Sequence, residues 1–232
     1  MDPSSLIYRA QVYRFLSGAL LYPQENWLED LPFLAAILEK LGCNFPATAP
    51  TGIDLGALQA DYRHTLGLSG SIPYETEIGL PDEYRQSQEL ADIAGFYRAF
   101  GFTAGGAIRE RPDYLAMELE FMGLLTLKEA YAAESGNAER VEVCRRASIS
   151  FLTDHLGRWI EVFAGGFSRA AGITKEADLS GRPYLWLARL AADFVHSDAE
   201  ALGANLEQIP LRAAMPTPLG PELSCGDCLA AN

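Results

Sequence analysis

Apolar side chains recur three and four positions apart over nearly the whole chain, and no stretch alternates apolar with polar residues. That period lines up one face of a helix, not one face of a strand. Residue choice points the same way. Ala and Leu account for 65 residues, while Val, Ile and Thr account for only 25. The β-branched residues are the ones that pack well on a pleated surface, so their scarcity favours helix. The expected fold is all-α, a compact helical bundle of about eight or more helices joined by short loops.

Punctuation residues place the helices. Ser4 or Ser5 is positioned to cap a first helix that Pro23 ends. A second runs from about Asn26 to Leu41, with a restart at Pro32, because proline is costly inside a helix. A third, near residues 53–66, stops at Gly67. Residues 67–82, GLSGSIPYETEIGLPD, form a long connection that divides an N-terminal helical layer from a C-terminal one. The next helix spans about 82–100. Pro112 opens a strong one that continues to about Glu134. Asn137 caps a long helix ending at Ala164, before Gly165 and Gly166, and the last runs from Pro183 to about Gly203. Residues 1–207 are thus expected to form a single helical domain. Residues 208–232 form a Pro-rich, aperiodic C-terminal tail.

The formal net charge of −13 makes a nucleic-acid partner a poor fit, because such binding needs a Lys/Arg surface. No apolar run is long enough for a membrane span, and MDPSSLIYRAQVYRF lacks the order of a signal peptide, so a cytoplasmic location is expected. Enzyme signatures are missing as well: the chain holds no Walker loop, no GxGxxG, no GxSxG, no HExxH and no Glu-x-x-His. Three histidines, His64, His155 and His196, give a metal or general-base enzyme little to work with. His155 and Trp159 share a helical face, and a histidine hydrogen-bonded inside a helix interface is the preferred reading there over a base or ligand. No enzymatic activity and no cofactor are expected.

Two patterns remain. Cys225 and Cys228 form a CxxC, which serves either as a redox pair or as half of a zinc site, with no second CxxC or His pair nearby. A metal- or redox-active helical protein using that pair is the alternative reading of the chain. The second pattern is acidic. Glu75, Glu77, Asp82, Glu83, Glu89 and Asp92 crowd around the single base Arg85, and Glu110, Asp113, Glu118 and Glu120 around Arg111. Glu118 falls on an apolar stripe with Tyr114, Phe121 and Leu125, where a carboxylate needs a partner. Either it pairs internally with Arg85 or Arg98, or it floors an anionic, apolar-walled groove suited to a peptide with arginines and a hydrophobic stretch.

These same segments resemble a known family. IPYETE (residues 72–77) is similar to the aromatic–Glu segment of the TorD/DmsD/NarJ-like redox-enzyme maturation chaperones. ERPDYLAMELEFM (residues 110–122) resembles their Pro-Asp-His…Glu-Leu…Phe motif. ELADIAGFYRAFGF (residues 89–102) and CRRASISFLTDHLGRWIEVFA (residues 144–164) resemble two of their helices. The likeness is strongest to the delta proteins that accompany the ethylbenzene, dimethyl sulfide, selenate and chlorate molybdenum enzymes. It implies a cytoplasmic TorD-like bundle that binds the catalytic subunit of a molybdenum-containing dehydrogenase or reductase, together with its twin-arginine signal peptide, until the cofactor is inserted. A homodimer stays open. Two departures stand out: the family's His after Pro-Asp is Tyr114, and its doubled proline is reduced to Ile72-Pro73. Matching position by position, the resemblance implies peptide binding by Tyr74, Glu75, Pro112, Asp113, Tyr114, Glu118 and Glu120.

Overall fold

The computed structural model describes residues 2–43, 49–67, 73–79, 83–103, 110–170, 172 and 179–207, with backbone alone at 79, 83–85 and 167–170. It is all-α. Among the described residues the one extended pairing is a single antiparallel bridge between Tyr74 and Tyr114. The helices are α1 (Pro3–Ala19), α2 (Leu31–Lys40), α3 (Leu55–Thr65), α4 (Glu75–Gly79), α5 (Glu83–Ala99), α6 (Leu115–Glu134), α7 (Ala138–Phe151), α8 (Gly157–Ala170) and α9 (Pro183–Leu202). A 3₁₀ turn, Trp27–Asp30, precedes α2, and a π-turn, Leu152–Leu156, joins α7 to α8 without a break.

Local chemistry fixes most ends. The Asp54 carboxylate accepts from the Ala57 N–H at 2.8 Å and starts α3. Asn137 accepts from the Arg140 N–H at 3.0 Å and starts α7. Gly136, at φ 66°, turns the chain tightly between α6 and α7. Gly203, at φ 73°, closes α9 while the Ala204 N–H reaches back to the Ala199 carbonyl at 2.9 Å.

Four boundaries differ from expectation. The first helix starts at Pro3 with Asp2 as its N-cap, ahead of Ser4 and Ser5. The connection contains the short helix α4. Pro112 does not open α6; the helix begins at Leu115 because Tyr114 is extended and held in the bridge. The Gly165–Gly166 pair does not stop α8, which runs on to Ala170. Its buried face, Trp159, Ile160, Phe163 and Ala164, packs into the core and offsets the roughly 1 kcal/mol that each glycine costs.

The core is continuous across these helices. Helix α6 runs through its centre, with Leu115, Leu119, Phe121, Met122 and Leu125 all fully buried. Helix α1 lies close against it at Gly123, where a Cβ would stand 3.3 Å from that of Tyr13. A buried ion pair ties α1 to α9. Arg9 grips Asp198 through Nε and through Nη2 at 2.8 Å, and the Tyr13 hydroxyl donates to the same carboxylate at 2.6 Å. The Arg145 guanidinium ties α7 to the buried Glu129 of α6 at 2.8 Å. Among the described residues no helix is long and apolar enough to cross a membrane.

Candidate peptide-binding site

The Tyr74–Tyr114 bridge brings the two motif segments together. The Glu75 N–H donates to the Asp113 carbonyl at 3.0 Å, and the Leu115 N–H donates to the Pro73 carbonyl at 2.9 Å. The two tyrosine rings then lie with centroids 5.4 Å apart and planes tilted by 46°. Tyr74 is half-buried, and its hydroxyl reaches Glu110 at 3.4 Å. Tyr114 is buried and donates to the Leu20 carbonyl at 2.9 Å. It therefore fastens the bridge to the end of α1. Burial, with Tyr62 and Glu110 beside it, holds its hydroxyl far above the usual phenol range.

Arg111 organises the polar side of the bridge. Its guanidinium lies 4.5 Å from the centre of the Tyr74 ring. It donates to both oxygens of Asp113 at 3.0 and 2.8 Å, to the Thr76 hydroxyl at 2.7 Å and to Glu77 at 2.9 Å. Asp113 is fully buried and also accepts from the Thr76 hydroxyl at 2.7 Å. The Pro112 carbonyl accepts from the Tyr97 hydroxyl at 2.7 Å, which ties α5 to the same segment.

Beneath the bridge lies a buried acid pair. Glu118, on the first turn of α6, accepts from the Trp159 indole N–H at 3.1 Å. Glu75 is its charged neighbour. No N–H or O–H of the described residues reaches Oε1 of either acid, so a hydrogen bond between the two carboxyls requires one of them to be protonated. Burial, and then the charge of Glu75, push the pKa of Glu118 well above the usual carboxylate range. Glu75 is held from the other side by His155, whose Nδ1 lies 3.3 Å from Oε2, while Nε2 lies 3.1 Å from the exposed Asp92. Burial works against a charge on His155. The hydrogen bond and charge of Glu75, joined by Asp92, outweigh it and raise the imidazole pKa. His155 belongs to the π-turn. Gly157 follows it, at a place where a Cβ would stand 2.5 Å from the Leu152 carbonyl oxygen.

The structure thus brings together Tyr74, Glu75, Pro112, Asp113, Tyr114 and Glu118, while Glu120 turns to solvent. It also corrects one expectation. Glu75, Asp113 and Glu118 are interior side chains at 1%, 0% and 0% exposure, so Glu118 does not floor an open groove. Its partners are Trp159 and Glu75; Arg98 is exposed, and the Arg85 side chain lies outside the described residues. His155 is hydrogen-bonded at a helix interface, as its sequence context suggests. Sequence reasoning marks Arg111 as the single base among these acids but gives it no role in the site, and it does not find the contact between the two buried acids. Among the described residues no group of His, Cys, Asp and Glu is placed to hold a metal ion. Cys225 and Cys228, with the rest of the expected tail, lie outside those residues.

Residues 27–165, a span containing the bridge, the acid pair and His155, match the family described as nitrate reductase delta subunit. The chain belongs to that family. Several relatives carry more specific names. One is a selenate reductase assembly chaperone protein of Thauera selenatis, 38% identical over 74 residues, 32% of this chain and 37% of the relative. A perchlorate reductase assembly chaperone protein of Dechloromonas aromatica is 38% identical over 71 residues, 31% of each chain. The chaperone protein TorD of Photobacterium profundum is 29% identical over 100 residues, 41% of this chain and 43% of the relative. In each case the chain spans less than half the length of the relative that it matches. These proteins are named as chaperones and not as enzymes. The all-α architecture of the family member described here agrees with the fold expected from its helical periodicity.

Proposed function

We propose that this chain is a cytoplasmic assembly chaperone for the catalytic subunit of a molybdenum-containing reductase or dehydrogenase, and that it takes the client's twin-arginine signal peptide on the face formed by the two bridged segments. The names of its relatives support the first part. One observation carries the second. The half-buried Tyr74 is flanked by carboxylates at the surface, Glu77 and Glu110, and is backed by buried acids that cannot themselves reach solvent. In this reading Glu110 and the second oxygen of Glu77, whose first is paired with Arg111, meet the client's guanidinium groups, while Tyr74 and Pro112 offer apolar surface to the following hydrophobic stretch. Glu75, Asp113, Tyr114 and Glu118 position that face from within, and Glu120 contributes charge at its margin.

Charge-assisted bonds of this kind are worth about 1.5–3 kcal/mol each. Two of them with modest apolar burial reach roughly micromolar affinity after the cost of association. Calorimetry with a synthetic twin-arginine peptide tests the reading. Combined Glu77→Gln and Glu110→Gln is expected to weaken binding by at least about tenfold, and a twin-lysine peptide to bind less well, because lysine lacks the bidentate fork. Unchanged affinity in the double variant rejects this face as the arginine contact.

A further inference from the structure

The C-terminal half of α6 and the start of α7 enclose a second surface that the peptide face does not use. A groove of about 960 Å³ runs between them and the end of α5. Leu127, Tyr131 and Val143 line it and stand 51%, 69% and 41% exposed, an unusual clustering of large apolar side chains open to water. Phe100 and Cys144 lie deeper in it. Two cations line this apolar strip, Lys128 from α6 and Arg140 from α7. Neither makes an ion pair with a described residue. Glu139 is the groove's one anion among the described residues, so this surface is net cationic on a chain whose formal charge is −13.

Tyr131 lies 17 residues beyond Tyr114, which at 1.5 Å per helical residue puts the two surfaces about 25 Å apart on one rigid element. We infer that this groove docks an amphipathic segment of a polypeptide partner whose apolar residues are accompanied by carboxylates. Apolar anchors would sit on Leu127, Tyr131 and Val143 while carboxylates meet Lys128 and Arg140, the helix-in-groove mode of recognition. Charge selects this occupant over a second copy of the chain. An isologous contact would bring two sets of Lys128 and Arg140 together against only two Glu139 side chains.

The test uses the full chain and two synthetic amphipathic peptides. They share leucine and phenylalanine positions; one carries glutamates on its polar face, the other lysines. Fluorescence anisotropy is expected to show binding of the acidic peptide, at least about tenfold weaker for the lysine peptide and for the variant with Lys128→Glu and Arg140→Glu combined. Leu127→Glu is expected to weaken the acidic peptide, by loss of an apolar anchor and by like charge. All these changes lie on exposed side chains, and far-UV circular dichroism checks that helicity is retained. Equal affinity for the two peptides, no binding of the acidic one, or unaltered binding by the charge-reversed variant overturns the inference. So does a wild-type dimer that Leu127→Glu converts to a monomer in sedimentation, which assigns the groove to a second copy. Twin-arginine peptide affinity is expected to persist in every groove variant, so failure here leaves the reading of the Tyr74 face untouched.

Discussion

Nδ1 of His155 stands 3.3 Å from Oε2 of Glu75, joining the π-turn to the short helix α4 across 80 residues of sequence. The contact makes stability depend on pH in a definite direction. The folded pKa of His155 lies above its ordinary value, so its contribution is complete below about pH 6.5 and is lost as pH rises through the folded value. Urea midpoints are therefore expected to fall between about pH 6 and about pH 8.5, and His155→Gln to flatten that fall. An equal slope in the variant assigns the dependence elsewhere.

Glu118→Gln imitates the protonated acid. It keeps an acceptor for the Trp159 indole and supplies a donor toward Glu75. Because the folded pKa of Glu118 is raised, the acid costs stability as pH climbs, so the amide is expected to equal or exceed the wild type at neutral and alkaline pH. Glu118→Ala strands both partners and is expected to cost about 1–3 kcal/mol. Denaturant titrations of the two variants separate these outcomes.

Arg111→Ala removes the counter-charge of the buried Asp113 and the cation above Tyr74 together. The expected effect is local. Amide hydrogen exchange should accelerate at Glu75 and Thr76, whose N–H groups donate to Asp113, while α9 keeps its protection. Uniform acceleration across the chain would show that Arg111 supports the whole fold.

Gly157→Ala drives a methyl group against the Leu152 carbonyl and Leu206, each 2.5 Å from the ideal Cβ. Relief requires the π-turn to shift, at about 1–3 kcal/mol, or roughly 2–4 °C of Tm per kcal/mol for a chain of this size. A scanning calorimetry trace unchanged from wild type would mean that the turn accepts the side chain.

Asp198→Ala leaves Arg9 buried without its carboxylate and frees the Tyr13 hydroxyl. Loss of about 3–5 kcal/mol is expected. Replacing Arg9 and Asp198 together by apolar residues of similar volume should recover much of it, as equilibrium unfolding can show.

How much of this the sequence discloses depends on the range of the interactions. Asn137, Pro183 and Gly203 set helix ends through neighbours within a few residues, and those ends fall where the residues indicate. The start of α6 departs from its local signal because Tyr114 answers to Tyr74, forty positions upstream. The glycine pair in α8 fails to end the helix because burial of Trp159 and Phe163 against the core outweighs local propensity. Spacing puts Glu118 on an apolar stripe correctly, yet its partners are an indole on the next layer and another acid, and no rule of spacing names those. The motif segments are legible as a set because they occur in a fixed order; that three of their acids face inward emerges only once the helices are packed.

The bridge between Tyr74 and Tyr114 also fixes Glu75 and Asp113 at one point, closing the chain between them into a loop whose helix α5 is held in the core by Ile93 and Tyr97. The entropy of closing such a loop rises only with the logarithm of its length. Closure alone therefore costs little more when residues are added outside α5, whereas α5 stays anchored by Ile93, Tyr97 and the Tyr97 bond to Pro112. Differences in length among related chains are expected to leave both α5 and the fastening unmoved.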